Sequence, residues 1–325
     1  MRLRRLAGIA IRLAVVAALL AAAWHYRGGI GDVSNALQSA GWQALAAISA
    51  WHFLSLGLCG VAQRGLMPRG SIGVFLLGRW VHEAVGELAG FLPLSGEVAA
   101  ARTLSRRGIA APQAAALTIV DLTAEGLAQF VFTALGVFLW LGRHPAGEVG
   151  HWALIGLVAS APLLAVFLFI QRSGLVRFVE TLPARLMPSH FKAPDEAAGT
   201  LAAIQTIYAN RMRMAACAAL HLIAWLIGTG ETAIAVALLG RPLSILDIVA
   251  MEAFVTALRG VAFFVPAALG VQEGAYVVIG AALGLPPDIA LAVSLLKRGR
   301  EIIFGVPGLI AWQMIEARGK PRANG

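Results

Sequence analysis

The chain has 325 residues, of which 59% are hydrophobic and 13% charged, and its mean hydropathy is +0.78. A soluble domain carries about 25% charged residues, so this balance excludes one and marks a polytopic membrane protein of the all-α class. The net charge of +9 does not point to nucleic acid, because the basic residues sit in short loops between apolar runs and form no face with base-reading side chains.

Residues 1–5 are basic, and the apolar run 6–24 is long enough at 1.5 Å per residue to cross a bilayer core. It reads as an uncleaved first span, with a signal peptide as the competing reading. A second span is expected over 42–62, followed by Arg64 and Arg69. Residues 72–107 make no clean span: Arg79, His82, Glu83 and Glu87 interrupt the apolar run, Pro93 breaks it, and Arg102, Arg106 and Arg107 close it. A helix that enters the membrane, turns at residues 93–96 and returns to the same side accounts for both the break and the charge. Two spans follow, at about 112–141 and 151–171. A loop at 172–212 carries amphipathic pieces near 175–186 and 197–208, expected at the membrane surface. A fifth span at 213–238, a second broken hairpin at 244–283 and a last span at 289–316 complete a single membrane domain over 1–325.

Charge asymmetry orients this layout. With the N-terminus in the cytoplasm, the cytoplasmic segments hold 17 Lys and Arg and the outer loops three, Arg27, Arg143 and Arg241. The first hairpin then opens from the cytoplasm and the second from outside. The sequence itself repeats in the same places. Glu97 to Gly108 and Glu273 to Gly284 are both 11 residues apart, Glu97 to Glu125 and Glu273 to Glu301 both 28. The leads Phe91, Pro93 and Phe264, Pro266 align after a three-residue shift. These observations predict six spans and two re-entrant hairpins in an inverted repeat, with repeat 1 at about 72–141 and repeat 2 at about 244–316.

Charges inside a bilayer cost on the order of 2.5–3.5 kcal/mol each at the helix centre, so they must face one another or a wet cavity. Arg79, Glu83, Asp121, Glu125, Arg259, Lys297, Arg298 and Glu301 fall within the expected membrane segments, and Glu97 and Glu273 follow the broken turns. Arg79 and Glu83, Asp121 and Glu125, and Lys297 and Glu301 stand four residues apart, each pair on one helix face. These ten are the candidate substrate-binding or proton-handling residues; a buried structural ion network is the plainer alternative. Because Asp121 and Lys297 hold equivalent places in the repeat, they are expected to pair at its axis. His52 and His221 read as satisfied core histidines, and Cys59 and Cys217 as free core thiols with neither disulfide nor metal. Gly86 and Gly90, Gly270 and Gly274, and Gly280 and Gly284 have the spacing of helix-packing glycines. No zinc-protease, serine-hydrolase or P-loop pattern occurs, so no enzymatic activity and no cofactor are expected.

Arg79, Trp80 and Glu83, then Pro93, Gly96, Glu97, Arg102, Arg106, Arg107 and Gly108, then Val120, Asp121 and Leu122 carry a resemblance. So do Phe264, Pro266, Gly270, Gln272, Glu273 and Gly274, with Leu295 through Arg298. Over about 40–316 the chain resembles the flippase-like membrane family related to the transmembrane region of lysylphosphatidylglycerol synthase, and within it the proteins associated with hopanoid biosynthesis. The resemblance implies lipid handling in a bacterial inner membrane, by translocation of an amphiphilic lipid or by assembling lipid-synthesis enzymes. Hopanoid, phospholipid or isoprenoid-type lipids are the implied partners, and a homo-oligomer is left open. The family's aminoacyl transfer belongs to a separate soluble domain, and with about nine residues after Glu316 that activity is not expected here. The resemblance also implies glycine at positions 267 and 268, where this chain has alanine.

Overall fold

The computed structural model describes residues 30–89, 94–144, 148–173, 194–262 and 265–317. The expected first span at 6–24, the amphipathic piece at 175–186, Phe91, Pro93 and Phe264 lie outside them. Among the described residues every regular element is helical. α1 (Ile30–Leu66) bends at Gly41, where φ is 63°. α2 (Ile72–Leu88) and α3 (Ser95–Arg106) flank the first break, α4 (Ala111–Arg143) and α5 (Glu148–Ser173) follow, and α6 (Pro194–Ala209) leads into α7 (Arg211–Leu238). α8 (Ile245–Val261), a short 3-10 turn at Pro266–Ala268, α9 (Val271–Ala282) and α10 (Pro287–Ala317) form the rest. Among the described residues three stretches are long and apolar enough to cross a membrane: Gly41–Leu66 of α1, Ala111–Arg143 and Arg211–Leu238.

The elements recur in register. α2 and α8 both have 17 residues and start 245 − 72 = 173 apart; α3 and α9 both have 12 and start 271 − 95 = 176 apart, as do α4 and α10 at 111 and 287. The same chemistry ends each short helix. Gly108 and Gly284 take φ of 100° and 78°, a left-handed conformation that glycine adopts without steric cost. The next amide then closes the helix, Ile109 N–H on Leu104 C=O at 3.2 Å and Leu285 N–H on Gly280 C=O at 2.8 Å. The three-residue shift between the leads is therefore taken up in the breaks, outside the helices.

Two apolar cores sit at opposite ends of the long helices. The first joins Phe75 and Leu104 to the C-terminal end of α1 (Ala62, Leu66) and the N-terminal ends of α4 (Ala114, Leu117) and α7 (Cys217). The second joins Phe254, Tyr276 and Val293 to the other ends: Ala44 and Ile48 of α1, Val137 and Trp140 of α4, Ala235 and Val236 of α7. Each broken hairpin thus packs at its own end of a three-helix frame. The hairpins also cross over: α2 packs on α10, and α8 on α4. Small residues permit both contacts, since a Cβ on Gly308 would stand 2.6 Å from that of Ala84, and one on Gly136 2.4 Å from that of Ala253. Of the glycines expected from spacing to pack, Gly280 abuts a neighbouring helix, at Ala290, whereas a Cβ at Gly86, Gly274 or Gly284 meets nothing; Gly90 lies outside the described residues.

Burial is inverted relative to a soluble protein. Phe138 is 75% exposed and Val261 71%, while Arg79 is 6% exposed and Glu301 3%. Only an apolar surround makes that arrangement favourable. The amphipathic piece at 197–208 finds its partner in the protein. As α6 it packs on α4, burying Ile204 and Ile207 and donating the Tyr208 hydroxyl to Thr123 Oγ1 at 3.0 Å. Its apolar face meets protein because Ile204, Ile207 and Tyr208 share one stripe at i, i+3 and i+4.

Candidate functional site

Between the two cores lies a cavity of about 980 Å³ whose walls come from α1, α2, α3, α4, α7, α8, α9 and α10 and from the turn before α9. Its polar lining follows from helix periodicity. α2 points Arg79, Glu83 and Glu87 inward at four-residue intervals, and α3 begins at the cavity with Leu94, Ser95, Gly96 and Glu97. The first turn of α3 carries amide N–H groups that its own helix cannot satisfy, and these lie at the cavity wall. Gly96 is needed for that approach, because a Cβ there would come within 2.7 Å of the His82 carbonyl oxygen.

Four charged groupings line or back the cavity. Arg79 donates two parallel hydrogen bonds to Glu125, both at 2.8 Å, and a third to Glu83 at 3.2 Å. His52 lies between two carboxylates, with Nε2 2.9 Å from Glu83 and Nδ1 2.8 Å from Glu231. Arg300 backs that pair, its Nε 3.3 Å from Glu231 as a charge contact without hydrogen-bond alignment. Both ring nitrogens of His52 face acceptor-only groups if both glutamates are ionised, so this trio holds an imidazolium or shares a proton with a carboxyl. Lys297 donates to Glu252 at 2.8 Å, and Glu252 also accepts from the hydroxyls of Tyr276 and Thr232. Arg259 spans Glu87 at 3.3 Å and Glu301 at 3.4 Å, and Arg298 links Glu301 at 2.8 Å to Glu273 at 2.9 Å. Glu97 is the least constrained acid of the lining, its nearest cation-forming partner being His82 at 3.5 Å.

Of the ten candidates, Arg79, Glu83, Glu97, Glu125, Arg259 and Lys297 line the cavity. Glu273, Arg298 and Glu301 form a second layer behind it. Glu273, the third residue of α9, reaches back to accept from the Gly270 amide at 2.7 Å. Asp121 does not meet Lys297. It accepts from Gln63 at 3.1 Å and lies 2.9 Å from His221 Nε2, while Lys297 is taken by Glu252. Equivalence in a repeat fixes where a residue sits on its helix but not which helix it faces, and for both side chains a nearer partner satisfies the charge. His52, His82, Glu87, Glu231, Glu252 and Arg300 also line the cavity and were not among the candidates. His52 is satisfied as expected, by a carboxylate at each ring nitrogen, whereas His221 is satisfied only at Nε2, by Asp121, and its Nδ1 has no hydrogen-bond partner. Asp121, Cys217 and His221 are the residues among those described that bring potential metal-ligand atoms together, all within 4.8 Å of one another.

The model of the family described as the lysylphosphatidylglycerol synthase TM region matches residues 9–307, most of the chain, which therefore belongs to that family. No curated protein matches it.

Proposed function

We propose that this member of the lysylphosphatidylglycerol synthase transmembrane family translocates an amphiphilic lipid between leaflets, without covalent chemistry. One observation carries the reading: the cavity between the two broken hairpins joins a charged, polar lining to an apolar exterior. Such a surface solvates a lipid head group while leaving its acyl or polycyclic body in the bilayer. Carboxylates outnumber fixed cations along the lining, six (Glu83, Glu87, Glu97, Glu125, Glu231, Glu252) to four (Arg79, Arg259, Lys297, Arg300), which favours a head group with a cationic or multiply hydroxylated part. Hopanoid-type, phospholipid and isoprenoid-type lipids fit this description to different degrees.

The layout that serves this function is six spans and two re-entrant hairpins in an inverted repeat, with a cytoplasmic N-terminus in a bacterial inner membrane. Its supports are the two cores at opposite ends of the frame and the basic residues Arg64, Arg69, Arg106, Arg107, Arg211 and Arg213 clustered at the first of those ends. Cysteine labelling then reaches position 108 from the cytoplasm and position 284 from outside. Reaction of both from one side contradicts the inversion. The second reading, an assembly factor for lipid-synthesis enzymes, draws on the family's association with lipid synthesis. Reconstituted vesicles carrying head-group-labelled lipids separate the two. The parent protein accelerates leaflet exchange of at least one lipid class if it translocates, whereas exchange at the protein-free rate for all classes leaves only the assembly role.

A further inference from the structure

A second cluster, outside the ion pairs of the cavity, brings together α1, α4 and α7. Cys217 and His221 stand four residues apart on one face of α7, and Asp121 reaches them from α4. Asp121 Oδ1 is 2.9 Å from His221 Nε2 and 3.5 Å from Cys217 Sγ. With zinc bonds of about 2.3 Å to sulfur and about 2.0–2.1 Å to nitrogen and oxygen, ligand atoms at the corners of a tetrahedron stand roughly 3.3–3.5 Å apart. The observed separations are those of a ligand shell that closes slightly on itself.

A further observation points to a ligand in this buried trio. Gln63 Nε2 donates to the other carboxylate oxygen, Asp121 Oδ2, at 3.1 Å, which turns Oδ1 into the cluster. An amide that orients a ligating carboxylate is what the outer shell of a metal site supplies.

We propose that Asp121, Cys217 and His221 bind one thiophilic divalent transition-metal ion of the zinc class. Binding takes the Cys217 thiolate and the neutral His221 imidazole, so any proton these groups carry is released to solvent. One thiolate and one carboxylate balance the charge of the dication. With three protein ligands the fourth position is left to water, and the ion fixes α4 and α7 to one another along one wall of the cavity.

The test uses the full chain, purified in detergent through a tag without histidine. Elemental analysis is expected to give about one zinc per chain, and protein loaded with Co²⁺ is expected to show the thiolate-to-cobalt charge-transfer absorption of a tetrahedral site. Cys217→Ser removes that absorption. Gln63→Leu keeps every ligand and weakens Zn²⁺ binding by about 10–100-fold in competition with a chelator. Should Cys217→Ser fail to fold, the parent and Gln63→Leu decide. Monodisperse parent protein that holds no metal as purified and takes up neither Zn²⁺ nor Co²⁺ overturns the proposal. So does an intact mass showing Cys59 and Cys217 joined as a disulfide, or a Gln63→Leu variant that binds as tightly as the parent.

Discussion

The half built on α2, α3 and α4 and the half built on α8, α9 and α10 have short helices of matching length and matching terminal glycines, and they share the acids Glu97 and Glu273, Glu125 and Glu301, yet at two other equivalent positions their charges are opposed. Where α2 places Arg79, α8 places Glu252 (252 − 79 = 173); where α4 places Asp121, α10 places Lys297 (297 − 121 = 176). In each half an ion pair joins the first hairpin helix to the long one, Arg79 to Glu125 and Glu252 to Lys297, with the sign reversed. The links between halves are of another kind. His52 and Glu83 meet Glu231 and Arg300, and Arg259 meets Glu87. Backbone path and charge are therefore set by separate features: turn glycines and small-residue contacts fix the first, while the second is free to diverge provided each half neutralises itself.

The comparison can be broken most directly through its two ion pairs. Arg79→Met leaves Glu125 without its cation in an apolar setting and Glu83 with His52 alone, and a buried charge stripped of its partner costs about 3–5 kcal/mol. Lys297→Met is expected to cost clearly less, because Glu252 keeps the Tyr276 and Thr232 hydroxyls. Adding Glu125→Leu to Arg79→Met should restore most of the loss, since an apolar pair of similar volume leaves no orphaned carboxylate at that position. Denaturation midpoints in a fixed detergent and lipid mixture report all three. Equal losses for Arg79→Met and Lys297→Met would show that the halves neutralise themselves in the same way after all.

A second contrast separates function from structure. Glu97 and Glu273 are both the third residue of their helix, but Glu97 faces the cavity and Glu273 is consumed by the Gly270 amide and Arg298. Glu97→Gln should stay folded and lose lipid exchange. Glu273→Gln should retain exchange and lose about 1 kcal/mol of stability, the usual value of a terminal cap. Monodispersity and leaflet exchange, measured on the same preparations, distinguish the outcomes. If Glu97→Gln exchanges lipid at the parent rate, the carboxylate belongs to the frame.

The helices and their breaks were legible because proline, glycine and charge interrupt otherwise continuous apolar runs. The 11-residue spacing from Glu97 to Gly108 and from Glu273 to Gly284 proved to be the span from the third residue of a short helix to its terminating glycine. Partnership was less legible. Periodicity places Asp121 and Glu125 on one face of α4, but it does not say how α4 is rotated against α2 and α7, so the partners His221 and Arg79 could not be read from it. His52 and His221 were read as core residues because apolar neighbours surround them in sequence; their carboxylate partners come from helices distant in the chain. The signal available was the scarcity of acids, since Glu231 and Glu252 had to face some buried donor. The packing glycines were missed for a related reason: Gly136 and Gly308 act across helices, and spacing within one helix does not identify them.

The smallest expected effect lies in the turns themselves. Leu94 and Gly270 occupy the same place before α3 and α9 (270 − 94 = 176), and both are left-handed, with φ of 65° and 79°. Ahead of Gly270, Ala267 and Ala268 take φ of 51° and 47°, so the second break holds two more residues in a conformation that disfavours a Cβ by about 1–2 kcal/mol. Replacing them with glycine relieves that strain but adds unfolded-state entropy, roughly 0.5–1 kcal/mol against a folded chain. The net gain expected for Ala267→Gly or Ala268→Gly is therefore about 0.5–1 kcal/mol. Gly270→Ala should move the same distance or further in the other direction. Leu94→Gly tests the first half alike, and since Leu94 is 56% exposed, little packing is forfeited. Thermal midpoints that rise for the three glycine substitutions and fall for Gly270→Ala show both turns to be left-handed. A fall for Ala268→Gly means that the second turn follows a different path and that the likeness of the halves ends at α8.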